Sequence, residues 1–277
     1  MVADFHLHSR ASDGDLDPAG LVAGAKSHGI RSLAITDHDT LGAYRWRDGA
    51  VFLEARRLGV ELTVGIELDV ALDGREVHLL GLGLTLGSPP LDAHLEAVRG
   101  AREERARREL ALVRERLGDR ALAAADVFVP GRESLMRAHL IRPLVARGLF
   151  ATYEEGRRWF QANARMGVVV PKPRIAEAVE MVHAAGGQAV LAHPGYYWKD
   201  GFAVLERLPE LRALGVDGVE LDYPYASSSP ELFVDGEAER FVGALRAGGE
   251  GLGFAFTRGS DAHSLADLDR VYGAARA

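Results

Sequence analysis

Five apolar, strand-like runs in this chain each lead into a side chain that can bind a metal ion, and that repetition constrains the fold more than any other feature. The runs are Val2-Ala3-Asp4-Phe5 into His6 and His8, Leu33-Ala34-Ile35-Thr36 into Asp37-His38, Leu62-Thr63-Val64-Gly65-Ile66 into Glu67, Ala189-Val190-Leu191-Ala192 into His193, and Gly253-Phe254-Ala255-Phe256 towards Asp261 and His263. Converging strand ends are where barrel enzymes keep their chemistry. Helical patterns lie between the runs. Asp17-Pro18 opens one that continues through Ser27 and stops at Gly29, and a second spans residues 40–58, with Pro at the start and Gly at the stop as helix-end signals. Strands alternating with helices predict a parallel sheet or barrel.

Asp73-Gly74 interrupts this alternation between two apolar runs and predicts a hairpin with a two-residue turn. In that register Asp69 faces His78, and Glu67 lies one diagonal step away on the same face, so Glu67 and His78 are placed to share an ion. After Pro89-Pro90 the pattern changes to long charged helices over residues 91–116 and 132–160, with no strand between them. We read a helical insertion over residues 93–167, a lid, within a barrel made of residues 1–92 and 168–277. Alternation then resumes with a helix at 174–185, the strand to His193, a helix at 202–214, a strand at 218–221, a helix at 230–247, a strand at 253–256 and a terminal helix from Leu265.

At 277 residues and 47% hydrophobic content, the chain is long enough to bury one barrel-sized core. It has no cysteine, which excludes disulfides, thiolate nucleophiles and cysteine-based zinc knuckles and leaves His and carboxylate as the strong ligands. No leader pattern and no run of 18 apolar residues occurs, so we expect a cytoplasmic protein with no membrane contact and no obligate protein partner. The charge is uneven. Residues 97–167 carry 15 Arg against 9 Asp or Glu, a balance of +6, while the net charge is -7 and the remainder is therefore -13. The basic window is either a solvated helical face or a means of drawing an anionic substrate.

His6 with His8, and Asp261 with His263, are two apart, the spacing that points side chains to one face of an extended segment. With Asp13, His38, Glu67, His78 and His193 they make six imidazoles and three carboxylates. One catalytic zinc uses about three protein ligands, so nine imply two to three divalent ions with Glu67 bridging. The mixed ligand set suits manganese, iron or zinc without choosing among them, and manganese is the ion we expect foremost. Asp37 and Asp39 flank His38 and are candidates to orient an imidazole. His28, His94 and His183 fall in helical patterns and are assigned no function.

These residues resemble the polymerase and histidinol phosphatase (PHP) family of metal-dependent phosphoesterases. Its motifs stand here as His6-Leu7-His8 with Ser12-Asp13-Gly14, Thr36-Asp37-His38-Asp39-Thr40, Ala192-His193-Pro194 and Gly259-Ser260-Asp261-Ala262-His263, joined by Gly65-Ile66-Glu67 and His78. The resemblance implies an α/β fold, a distorted (β/α)7 barrel with an inserted helical subdomain and a trinuclear site at the strand ends. Carried over, the first ion takes His6, His8, Glu67 and Asp261, the second Asp13, His38 and His193, and the third Glu67, His78 and His263. The insertion and Asp13 look most like the branch that hydrolyses nucleoside 3',5'-bisphosphates and trims short RNA 5' ends. That branch carries an Arg-x-His element near the phosphate, similar to Arg137-Ala138-His139 followed by Arg142 here, although Met136 stands where glycine is expected.

The implied reaction is phosphomonoester hydrolysis by a metal-bridged hydroxide. Asp13, His38 and His193 are its expected catalytic ligands, with His193 or a metal-bound water protonating the leaving group. Arg137, His139 and Lys172 are the expected phosphate contacts. The substrate is either a phosphorylated nucleotide or a short RNA end. The rival readings are a histidinol-phosphate phosphatase, which in this family tends to carry His at the position of Asp13, and a non-catalytic accessory module, which would be expected to have lost ligands. A C–N hydrolase of a related barrel class lacks its carboxylated-lysine candidate, since Lys26 lies in a helical pattern.

Overall fold

The computed structural model describes residues 2–163 and 167–273. Residues 164–166, at the tail of the expected insertion, lie outside that range, as do Met1 and 274–277. Seven strands form one sheet in chain order: β1 (Val2–Leu7), β2 (Ile30–Ile35), β3 (Glu61–Leu72), β4 (Arg75–Leu82), β5 (Gln188–Leu191), β6 (Gly218–Asp222) and β7 (Ala255–Arg258). β1, β2 and β3 pair in parallel, as do β5, β6 and β7. β4 is antiparallel to both its neighbours, because the Asp73-Gly74 turn sends the chain straight back along β3. Both turn residues adopt the positive φ that such a turn requires, 50° and 76°. A parallel bridge from Leu7 to Ala262, with the His8 N–H donating to the Ala262 carbonyl (3.0 Å), joins β1 to the segment after β7. The sheet is thus a barrel distorted by one antiparallel strand.

Helices α1 (Pro18–Ser27), α2 (Gly42–Arg45) and α3 (Ala50–Leu58) follow β1 and β2, and α4 (Pro89–Leu117), α5 (Ala124–Val127), α6 (Ala138–Ala146) and α7 (Tyr153–Asn163) follow β4. Then come α8 (Ile175–Ala184), α9 (Pro194–Lys199), α10 (Leu208–Ala213), α11 (Tyr225–Ser228), α12 (Glu237–Glu250) and α13 (Leu265–Tyr272). The Asp17 side chain accepts the Gly20 N–H and Pro18 opens α1, so the expected N-cap forms.

Four expected helices are shorter or broken, each for a backbone reason. The 40–58 helix divides because Arg47, Asp48 and Gly49 take positive φ in succession, which no right-handed helix tolerates. The 202–214 helix starts only at Leu208, where Pro209 fits the first turn but could not sit in an interior. Asp235 and Gly236, at φ 51° and 72°, delay the 230–247 helix to Glu237. The expected 132–160 helix is two helices separated by Gly148 at φ 72°.

The main apolar core lies between the sheet and the outer helices, with Leu33, Ile35, Leu79 and Leu191 packed against Leu21, Val22, Val51 and Val179. Their strand neighbours Ala34, Leu80, Val190 and Ala192 face the other way and fill the inner side of the barrel, the period-two alternation of a pleated strand. A separate core within residues 106–160 centres on Leu110, Val113, Ile141, Leu144 and Phe160. α4 joins the two, burying Leu91 and Leu95 in the first and Ala106, Leu110 and Val113 in the second. Among the described residues no helix is long and apolar enough to cross a membrane.

Candidate metal centre

All nine expected residues meet in one cluster, His6, Glu67 and His78 from within β1, β3 and β4 and the others from the segments that follow β1, β2, β5 and β7, and most of their side chains are buried. His6, His8 and Glu67 are fully inaccessible to solvent. His6 Nε2 and His8 Nε2 lie 3.2 and 3.3 Å from Glu67 Oε2, and His8 Nε2 lies 3.0 Å from Asp261 Oδ1. The other Glu67 oxygen, Oε1, faces His78 Nδ1 at 2.8 Å and His193 Nε2 at 3.1 Å. The carboxylate therefore serves two groups of imidazoles, one per oxygen. His263 Nε2 stands 3.3 Å from Asp13 Oδ1, and these two with His8 and His38 form a further cluster of converging ligand atoms.

The donor atoms group differently from the expected partition, and His38, whose Nδ1 lies 3.2 Å from Glu67 Oε2, belongs both to the Asp13 cluster and to a cluster with Glu67 and His78. The sequence reading put His193 with Asp13 and His263 with His78, whereas the folded chain puts His263 beside Asp13 and both His78 and His193 on Glu67. The reason is topological. The segment after β7 pairs with β1, and the Asp15 N–H donates to the His263 carbonyl at 2.7 Å, which brings His263 to the Asp13 loop. β5 instead pairs with β4, which brings His193 to His78.

The donor atoms show what this centre lacks. His6 Nε2, both His8 ring nitrogens, His38 Nδ1, Asp13 Oδ1, Glu67 Oε2 and His193 Nδ1 are buried without a hydrogen-bond partner, and buried polar atoms left so are costly. Burial pushes the Glu67 carboxyl up, but the imidazoles of His38, His6 and His78 outweigh it and hold the carboxyl well below the usual range. Burial likewise depresses His38 and His78, yet Glu67 first, with Asp69 among the acids that follow, drives both up to about 9. The cage attracts positive charge strongly, and its donor groups fit divalent metal ions.

Backbone strain sits here too. His193, Asp261 and Asp39 have φ of 29°, 55° and 47°, a region disfavoured for residues with a Cβ and concentrated at functional sites.

Several supporting residues escaped the sequence reading. Glu220, in β6, is fully buried. Its Oε1 lies 3.0 Å from His6 Nδ1 and its Oε2 accepts the His193 N–H at 2.7 Å. This carboxylate fixes the outward nitrogen of a ligand imidazole. An acid inside the apolar run Gly218-Val219-Glu220-Leu221 was the available signal. Asp4 accepts the N–H groups of His6 and Ser260 (3.1 Å each), the Ser260 hydroxyl (2.5 Å) and the Tyr272 hydroxyl (2.9 Å). It ties the first motif to the last, and burial raises its carboxyl to about 6. Arg102, on α4 and almost fully buried, pairs with both Asp39 and Asp69.

Asp37 and Asp39 do not orient an imidazole. Asp37 accepts the Ser9 N–H (2.7 Å), the Ser9 hydroxyl (2.6 Å) and the Ser12 hydroxyl (2.6 Å), holding the loop that presents Asp13. Asp39 is engaged by Arg102 and accepts the Asp69 N–H. The reason is position, since the Asp39 backbone bridges to Glu67 and leaves its side chain facing α4.

Of the expected phosphate contacts, Arg137 donates from Nε to the buried Glu109 (2.8 Å). His139 is 4% exposed, its Nδ1 accepts the Met136 N–H (2.9 Å), and its Nε2 is buried without a partner. Burial first and the Arg132 guanidinium next push it down to about 3, so the ring is neutral. Arg142 donates to the Asp13 carbonyl at 2.6 Å. Lys172 pairs with Glu76, whose Oε1 lies 3.8 Å from His78 Nε2. Elsewhere the basic window is spent on surface pairs one helical turn apart, such as Arg107–Glu103 and Arg108–Glu104.

Residues 4–129 match the family model for the PHP domain. The chain is 34% identical over 224 residues to a 5'-3' exoribonuclease of Haemophilus influenzae, a match covering 79% of this chain and 78% of that one. It is 33% identical over 261 residues to the 3',5'-nucleoside bisphosphate phosphatase of Chromobacterium violaceum, covering 87% and 90%. Among solved structures, a Bifidobacterium adolescentis chain provisionally assigned as a metal-dependent phosphoesterase superposes with a TM-score of 0.74 at 26% identity, over 94% of this chain and 87% of that one.

Proposed function

The chain belongs to the PHP family, and on that premise we propose that it is a metal-dependent phosphoesterase acting on nucleotides: a 3'-phosphatase of nucleoside 3',5'-bisphosphates, a 5'-3' exoribonuclease on short RNA, or both. The observation that carries this reading is the division of Glu67, whose two buried oxygens each face separate imidazole groups. One carboxylate between two sets of ligands is what a polynuclear site requires.

In this reading His6, His8, Glu67 and Asp261 hold a first ion, Glu67, His78 and His193 a second, and Asp13, His38 and His263 a third, with manganese foremost and iron or zinc as alternatives. Bound there, such ions would acidify water and neutralise phosphoryl oxygens. Glu220 fixes His6 from behind, and Asp37 fixes the loop bearing Asp13. With His193 used as a ligand, water at this centre would supply the proton to the leaving alkoxide. The lid is read over residues 93–167, and α4 joins the barrel core to the second core. From the lid Arg142 and the neutral His139 stand beside Asp13, where they would receive the charged end of a phosphate. Arg137 and Lys172 would make secondary contacts only by giving up part of their pairing with Glu109 and Glu76.

The test is a panel. Enzyme stripped by chelator is reloaded separately with manganese, iron and zinc, then given adenosine 3',5'-bisphosphate, a 5'-phosphorylated RNA tetramer and histidinol phosphate. We expect phosphate or nucleotide release from the first two at rates well above the third. Faster turnover of histidinol phosphate, or none of any substrate with any metal, would refute the reading.

A further inference from the structure

Tyr223 follows β6 directly and is 8% exposed. Its hydroxyl donates to Asp261 Oδ2 at 3.1 Å, while Asp261 Oδ1 faces His8 Nε2 at 3.0 Å and His6 Nε2 at 3.5 Å. The phenol ring meets His193 edge-on, with centroids 5.7 Å apart. Tyr196 lies against both, its ring 5.5 Å from that of Tyr223 and its hydroxyl 3.4 Å away. One side chain therefore touches a candidate ligand of the first ion and a candidate ligand of the second.

We propose that Tyr223 is a positioning residue of the metal centre: by holding Asp261 Oδ2 it turns Oδ1 towards His6 and His8, and by packing on His193 it sets that ring against Glu67. This rests on the phosphoesterase reading above. The phenol ring is buried and packed between His193 and Tyr196, which holds the hydroxyl in place against Asp261 Oδ2. Partners of this kind, one step behind the ligands, typically change metal affinity or activity 10–100-fold when removed.

The experiment compares Tyr223→Phe and Tyr223→Gln with the wild type, using manganese titration by calorimetry, the visible spectrum of the cobalt-loaded protein and thermal melting. Tyr223→Phe keeps the ring and loses the donor, and Tyr223→Gln returns a donor without the ring. We expect Tyr223→Phe to weaken its tightest manganese site about 10-fold or more, shift the cobalt bands and melt close to wild type, with Tyr223→Gln recovering part of the affinity. Wild-type affinity and spectrum in Tyr223→Phe would overturn the proposal. So would weakening in Tyr223→Phe that comes with early melting, which would mark a loss of fold and not of ligand orientation. A wild type that binds manganese but hydrolyses no phosphoester would refute the functional reading and leave this one standing.

Discussion

His6 Nδ1 lies 3.0 Å from Glu220 Oε1, and neither side chain is exposed to solvent. Because the opposite nitrogen, Nε2, points at Glu67 Oε2 and Asp261 Oδ1, the contact with Glu220 decides which nitrogen of His6 carries the proton and which is free for a cation. Glu220→Gln keeps the volume but replaces an anionic acceptor with an amide. Metal affinity or kcat/KM should fall about 10–100-fold, measured by titration with manganese and by steady-state assay. Wild-type values in both would show that the imidazole needs no such partner.

Asp13 and His38 belong to the site and contribute little to the apolar core. Asp13→Ala and His38→Ala should abolish turnover. Neither side chain belongs to the apolar core, so stability should change by about 1 kcal/mol, a Tm shift of roughly 2–4 °C at this size. Activity assays and melting curves on the same preparations check this, and retained hydrolysis would exclude the two residues from the centre.

The strand ends were legible because chemistry-bearing residues interrupt apolar runs at the ends of strands, where an imidazole has no packing reason to be. The hairpin register was legible because Asp73-Gly74 leaves a two-residue turn little freedom, and Asp69 does pair with His78. What stayed hidden depends on which distant segments touch. Nothing local distinguishes Arg102 from the other arginines of its helix, and its pairing with Asp39 and Asp69 follows only from how α4 lies on the barrel. The exchange of His193 and His263 between ligand groups has the same origin, since spacing shows that two residues share a face but not which strand end lies opposite. Breaks at Arg47-Asp48 and Asp235 arise from positive φ in residues other than glycine, which composition does not announce.

Arg137 has a structural task that the sequence did not show. Its Nε pairs with Glu109, whose side chain is fully buried and whose second oxygen has no partner. Arg137 is partly exposed, but its removal leaves the buried Glu109 with only the charge of Arg105 nearby, at a cost of about 1–3 kcal/mol. Arg137→Ala should therefore melt roughly 2–12 °C lower, beyond any kinetic effect, and Arg137→Ala/Glu109→Leu should regain most of the loss. An unchanged melting temperature in the single variant would free Arg137 for the substrate alone.

His139 gives the lid a pH dependence of definite sign. Its folded pKa, pushed down to about 3 by burial and by Arg132, lies below the ordinary value of about 6.5 that it regains on unfolding. Between those limits the unfolded chain binds one more proton than the folded chain. Stability from this residue is therefore complete above pH 6.5 and is lost progressively as the pH falls towards 3. His139→Asn retains an acceptor for the Met136 N–H and removes the titration. Denaturant unfolding in the presence of chelator, at steps from pH 7 to pH 4.5, should show a shallower acid slope in the variant, by up to about 1.4 kcal/mol per pH unit. Parallel slopes would mean that the His139 ring is protonated equally in the two states.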